Sequence, residues 1–346
     1  MRTPNAGSTD GHVVSSARIV MPSDADDRAA PTHAAPGDGQ ARRFPADAPT
    51  AGVPFESYLF IAVSIAVSLP YVMVDPHAFV AGHIVAMSVL VALLGLPHGA
   101  LDPLLAYRLG LWHDPRSLVL FLFGYVTLSA AVVGLWLLAP VASLVVFLLI
   151  SAAHFGSDWN ARQPAAIRVL TGMALLSLPA LRDTEEVARL FVMLSGPHAR
   201  SMATLQAAAG PFLLAGLIIC AAIAARTRLH EAVELAIAAT LALTTPPLVF
   251  FTVYFCLLHS ARHLREGLTM ERAALRRPAG RALVGGAVFV PMLVAVALLM
   301  NDATDALDAR LLQIVFIGLA SLTVPHMVVV AIGARAARRE GAEGWR

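Results

Sequence analysis

The sequence predicts an all-helical bundle of eight to ten membrane-spanning helices. Three observations carry that expectation. Of the 346 residues, 58% are hydrophobic and only 14% charged, where a soluble domain carries about 25% charged residues. Mean hydropathy is +0.71. Several apolar runs reach about 18–20 residues, the length that crosses a bilayer core. Such segments must be helical, because lipid offers the backbone no hydrogen-bond partner.

Residues 1–53 are rich in Pro, Ala, Gly, Ser and Asp and lack apolar periodicity, so they are expected to form a disordered tail. No continuous apolar stretch marks them as a secretory signal. A membrane domain follows over 54–334, then a basic tail over 335–346. Spanning segments are expected near 55–74, 79–101, 117–139, 141–159, 165–181, 210–226, 231–245, 247–265, 281–300 and 309–333. The fifth and seventh are short, and Glu231 and Glu234 suggest that the seventh lies partly in the interface. Residues 184–196 are too short and too charged to span; they read as an amphipathic surface helix.

Arginine placement orients the bundle. With the tail in the cytoplasm, Arg108, Arg116, Arg162, Arg168, Arg226 and Arg228 fall in cytoplasmic loops. So do the dense set from Arg265 to Arg281 and the C-terminal Arg335, Arg338 and Arg339. The opposite loops are short or acidic, with Arg182 and Arg200 as exceptions. This obeys the positive-inside rule and puts both termini in the cytoplasm of a multi-pass bacterial inner-membrane protein.

Composition also excludes functions. The chain contains no lysine, so it cannot carry retinal as a Schiff base. Its two cysteines, Cys220 and Cys256, lie in apolar segments and read as small core residues rather than as a disulfide or thiolate site. A net charge of +2 gives no reason to expect a nucleic-acid partner.

Against this background five histidines stand out, each at or near the end of an apolar run. They are His98 in PHGALD, His154 in AAHFGSDW, His259 and His263 in YFCLLHSARH, and His326 in TVPHM. An ionisable residue within a membrane segment points to function, and a shared metal ion is the simplest partner for several imidazoles. His98, His154 and His259/His263 end the second, fourth and eighth segments, all on the cytoplasmic side, and His326 lies in the same half of the tenth. Bundles build metal sites in this way, from side chains on facing helices.

His259 and His263 are four residues apart, so they share a helix face and can grip one ion. Asp102 and Asp158 lie four residues after His98 and His154. Either can orient a neighbouring histidine's second ring nitrogen; helix capping serves equally well as a reading. Gly99 and Gly156 read as sites of close helix approach or simple small-residue packing. His326 follows Pro325 and is expected to line the site rather than to ligate. A donor set of imidazoles without thiolate suits iron, zinc, copper or nickel. The zinc-hydrolase pattern HExxH is absent.

The four motifs PHGALD, AAHFGSDW, YFCLLHSARH and TVPHM, in this order over about 90–330, resemble the Brp/Blh family of membrane carotenoid oxygenases. The resemblance implies an iron(II)-dependent β-carotene 15,15′-dioxygenase, which splits the central double bond with O2 to give two all-trans-retinal. It implies His98, His154, His259 and His263 as metal ligands, Tyr254 and Arg262 near the site, and His326 lining it. It also implies that the retinal passes to a rhodopsin. One departure is Pro103, where family members are expected to carry a polar residue after HGALD.

The chemistry agrees. β-Carotene is a long apolar polyene dissolved in the bilayer, which an embedded enzyme can take laterally. Phe155, Trp159, Phe251, Tyr254 and Phe255 can wall a substrate tunnel or serve as ordinary packing. Alternatives are an iron oxygenase acting on another carotenoid or a lipid, a histidine-lined metal-ion carrier, and a histidine-ligated haem protein.

Overall fold

A computed structural model describes residues 53–73, 83–159, 163–301 and 307–343, with side chains described except at 83, 96–98, 301 and 337–343. The expected tail lies outside these residues apart from its last position. Every described element is helical, and no strand occurs among the described residues.

The chain runs through α1 (Phe55–Met73) to α2 (His83–Leu90). From α2 it passes through a π turn (Val91–Gly95) and a 3-10 turn (Leu96–Leu101) into α3 (Asp102–Arg108). Next come α4 (Pro115–Leu138), α5 (Pro140–Phe155), α6 (Ala165–Arg182) and α7 (Thr184–Ser195). Then follow α8 (Arg200–Ala225), α9 (Leu229–Thr244) and α10 (Pro247–Val253). A second π turn (Tyr254–Ser260) joins α10 to α11 (Ala261–Met270), and α12 (Arg272–Leu275), α13 (Pro278–Asn301) and α14 (Leu307–Glu343) complete the chain.

Seven described helices are long and apolar enough to cross a membrane, as an integral membrane protein requires. Two of them, α4 and α13, show almost no burial and expose Leu120, Phe123, Leu138, Phe289, Leu293 and Met300. Apolar faces of this extent suit lipid rather than water. Two shorter helices, α5 and α9, instead carry buried residues at their inner faces.

Local chemistry sets the helix ends. Asp114 caps α4: its Oδ1 accepts from the backbone N–H of Arg116 and Ser117, and the Ser117 hydroxyl closes the box. These bonds, the Ser117 backbone N–H first, hold the Asp114 carboxyl below the usual carboxylate range. Pro115, Pro140 and Pro247 stand at the first helical position, where a missing N–H costs nothing.

Helices α5 and α6 approach so closely that backbone meets backbone. A Cβ at Gly172 would lie 1.9 Å from the Ala152 carbonyl oxygen, and one at Gly156 only 1.7 Å from that of Arg168. Small residues permit such approach between membrane helices. Gly99 plays no such part, since among the described residues a Cβ there would meet only the Asp102 carboxylate, at 3.9 Å.

Two elements differ from expectation. Helix α7 is amphipathic but not superficial: Val187, Ala188, Phe191 and Leu194 enter the core. Trp136 Nε1 donates to Leu194 O and Gln313 Nε2 to Met193 O, which ties its end to α4 and α14. Its apolar face needed a bundle to cover it, which composition does not reveal. Similarly, Glu234 lies on the inner face of α9, where its side chain is fully buried against an arginine.

Candidate metal centre

The centre forms where two irregular helix turns meet the end of α5. The π turn Tyr254–Ser260 packs against the π turn Val91–Gly95; the Ser260 hydroxyl donates to Gly95 O at 3.5 Å, and Cys256 Sγ to Leu90 O at 3.7 Å. Gly95 is required there, because a Cβ would sit 2.3 Å from the Phe255 ring. A π turn inserts an extra residue and re-aims the side chains that follow it, which is why such turns recur at functional sites. Here they precede His98 and contain His259.

His154 reaches the same point from the last turn of α5, and His263 from the first turn of α11. One ligand atom each from His154, His259 and His263 lies within 4.8 Å of the other two. Ring centroids are 4.6 Å apart for His154 and His259, 4.6 Å for His259 and His263, and 5.3 Å for His154 and His263. Two metal–nitrogen bonds of about 2.1 Å reach about 4.2 Å, so a first-row ion fits with small side-chain adjustment. Moreover, among the described residues His154 Nε2 is buried without a hydrogen-bond partner. A buried orphan of this kind costs about 1–3 kcal/mol, and a cation would recover it. The donor set therefore suits a metal. His98 lies in the 3-10 turn Leu96–Leu101, and its side chain is outside the described residues.

Carboxylates hold the imidazoles. Asp158, just beyond α5, is fully buried and accepts from His259 Nδ1 at 2.9 Å and from the Tyr254 hydroxyl at 2.7 Å. His263 Nε2 stands 3.4 Å from its other oxygen. Asp158 thus serves His259, across the bundle, rather than His154 on its own helix. Asp102 does the same for His326, whose Nδ1 lies 2.8 Å from Asp102 Oδ1. Tyr125, unremarked in the sequence, donates to Asp102 Oδ2 at 2.9 Å. The His326 ring lies 5.5 Å from that of His154.

A buried ion pair steadies this frame. Arg262 Nη2 donates to both Glu234 oxygens, at 2.8 and 2.9 Å, while its Nη1 donates to Asp158 O at 2.7 Å. Trp159 Nε1 donates to Glu234 Oε2 at 2.9 Å. Trp159, which follows Asp158 in the chain, and Arg262, which binds its carbonyl, are thereby both pinned to Glu234 of α9. Sequence reasoning missed this role of Glu234; the available signal was an acidic residue and Arg262, both in apolar segments, each needing a partner. The five aromatic residues cluster here too, with Phe155 beside His259 at 4.7 Å and Phe255 stacked on it at 5.5 Å. Pro103 opens α3, and its carbonyl accepts from Trp112 Nε1 at 2.8 Å.

Fold and site together define an integral membrane helix bundle with a buried histidine centre fit for a metal ion. Comparison with known proteins narrows this. The family model described as β-carotene 15,15′-dioxygenase matches residues 89–332, and the chain belongs to that family. It is 31% identical over 270 residues to the β-carotene 15,15′-dioxygenase of an uncultured marine bacterium, 66A03, covering 70% of this chain and 90% of that one. It is 27% identical over 281 residues to the probable β-carotene 15,15′-dioxygenase Blh of Halobacterium salinarum, covering 68% and 80%. No solved structure matches the chain.

Proposed function

We propose that this protein cleaves the central 15,15′ double bond of β-carotene with O2, giving two all-trans-retinal, at an iron(II) ion held by His98, His154, His259 and His263. The observation that carries this reading is the convergence of His154, His259 and His263 on one point, in a chain of the β-carotene 15,15′-dioxygenase family. Bound iron would supply the binding and activation of O2.

The chain's own residues do the rest. Asp158 accepts a hydrogen bond from the Nδ1–H of His259, which leaves Nε2 as the lone-pair donor and fixes the ring's direction. Tyr254 occupies a second site on the same carboxylate, so Asp158 cannot swing away. Arg262, held by Glu234, anchors the Asp158 backbone and keeps the turn after α5 at a set height. The aromatic cluster of Phe155, Phe251 and Phe255 excludes water and offers apolar faces to a polyene. No acid–base pair is needed, because cleavage of a carbon–carbon double bond by O2 transfers no proton to a leaving group.

The oxygenase domain in this reading spans 54–334, with the 335–346 tail and both termini in the cytoplasm of a bacterial inner membrane. The arginine distribution supports that orientation. Substrate enters from the bilayer, and retinal leaves to a rhodopsin.

Expression in β-carotene-producing bacteria, with chromatographic measurement of retinal and residual carotene, tests the reading. Retinal with loss of orange colour is expected. Intact carotene beside well-expressed membrane protein would reject it and leave a carrier or another substrate.

A further inference from the structure

The bundle builds the same three-residue device twice. On one side of His154, His259 Nδ1 pairs with Asp158, which also accepts from Tyr254. On another, His326 Nδ1 pairs with Asp102 at 2.8 Å, and Asp102 also accepts from Tyr125 at 2.9 Å. The two devices share no element: α14, α3 and α4 supply the second. All three of its polar groups are largely withdrawn from solvent, His326 at 8% and Asp102 at 3% side-chain exposure.

A histidine that only lined an apolar substrate channel would need no buried carboxylate behind it. Burying that charge among membrane helices is costly. The cost is understandable if the carboxylate fixes a metal-ligating ring, the usual arrangement behind ligand histidines. Distance agrees. With bonds of about 2.1 Å to the ion and about 1.2 Å from nitrogen to ring centre, two imidazoles on one ion lie up to about 6.6 Å apart. The His154–His326 separation is 5.5 Å, with the rings 73° from coplanar.

We propose that His326 is a ligand of the same metal ion as His154, His259 and His263, positioned by Asp102 and Tyr125. This replaces the lining role expected from sequence, and it rests on the reading of the histidine cluster as a metal centre.

The test uses the purified full-length protein loaded anaerobically with iron(II), then challenged with a chelator, with retained iron measured by mass spectrometry. His326→Gly is expected to lose iron at least tenfold faster, and added imidazole to restore retention by filling the ligand's place. Asp102→Asn is expected to weaken retention about 10–100-fold. Wild-type retention by His326→Gly, with only the KM for β-carotene raised, would overturn the proposal in favour of a lining role. Loss of iron that imidazole does not repair, with a lowered unfolding temperature, would overturn it in favour of packing. His259→Ala, measured in parallel, reads the underlying metal centre: if that variant also keeps its iron, the centre itself is misassigned.

Discussion

Asp158 and His259 lie 101 positions apart in the chain, yet carboxylate and imidazole meet at 2.9 Å with neither side chain exposed. The pair joins the turn after α5 to the π turn before α11. It sets the first expected outcome. Asp158→Asn keeps the shape and the acceptor for Tyr254 but removes the charge that holds the His259 ring. Metal affinity is expected to fall about 10–100-fold. A competition assay against a chelator of known strength checks this; unchanged affinity would show that the ring is held by packing alone.

His259→Ala is expected to abolish bound iron and carotene cleavage while membrane insertion stays intact. Iron analysis, retinal chromatography and membrane fractionation measure the three quantities separately. Full activity in this variant would remove His259 from the ligand set.

The Glu234–Arg262 pair should weigh on stability more than on chemistry. Glu234→Gln leaves the Arg262 guanidinium opposed by a neutral amide in a site where the partner is fully buried. Breaking one side of a buried pair costs about 3–5 kcal/mol. Glu234→Gln combined with Arg262→Met should cost less than the sum of the two single changes, the signature of direct coupling. Thermal unfolding in detergent gives the comparison, and simple additivity would argue that the two groups act apart.

Gly172→Ala tests the close approach of α5 and α6. The new methyl would lie 1.9 Å from the Ala152 carbonyl oxygen, a backbone atom that cannot turn aside. A loss near the top of the usual overpacking range, about 1–3 kcal/mol, is expected. Because α5 ends in His154, iron retention should fall as well. A stable variant with native iron content would mean that the helices separate at no cost.

Deletion of residues 1–53 is expected to leave turnover of β-carotene nearly unchanged, since none of the four motifs lies there. Retinal yield per expressed protein, compared with the full chain, decides it; a large fall would assign the segment a part in catalysis or assembly.

Much of this was legible in the chain. Apolar runs of bilayer length fixed the helical class, because lipid leaves no other way to satisfy the backbone. Each of the ten expected segments overlaps described helix, although 74 and 79–82 lie outside the described residues, 141–159 runs past the end of α5 at Phe155, and α8 begins at Arg200, well before the expected 210. Its first residue, Arg200, is paired with Glu185 of α7 at 2.8 Å. The histidines announced themselves by chemistry, as costly groups in apolar surroundings. Asp158 announced itself less clearly: its spacing from His154 suggested a link, but spacing along one helix cannot say which imidazole across the bundle it meets.

By itself, then, the sequence determined the class of fold and the residue types available for chemistry, because both follow from local transfer energies and hydrogen bonding. Only the tertiary structure decided which of those residues meet. The Asp158–His259, Asp102–His326 and Glu234–Arg262 contacts join segments 101, 224 and 28 positions apart. Such pairings depend on helix rotation and on the two π turns that re-aim the side chains. A shift of one residue in either would turn a ligand toward lipid, and no local pattern in the chain records that choice.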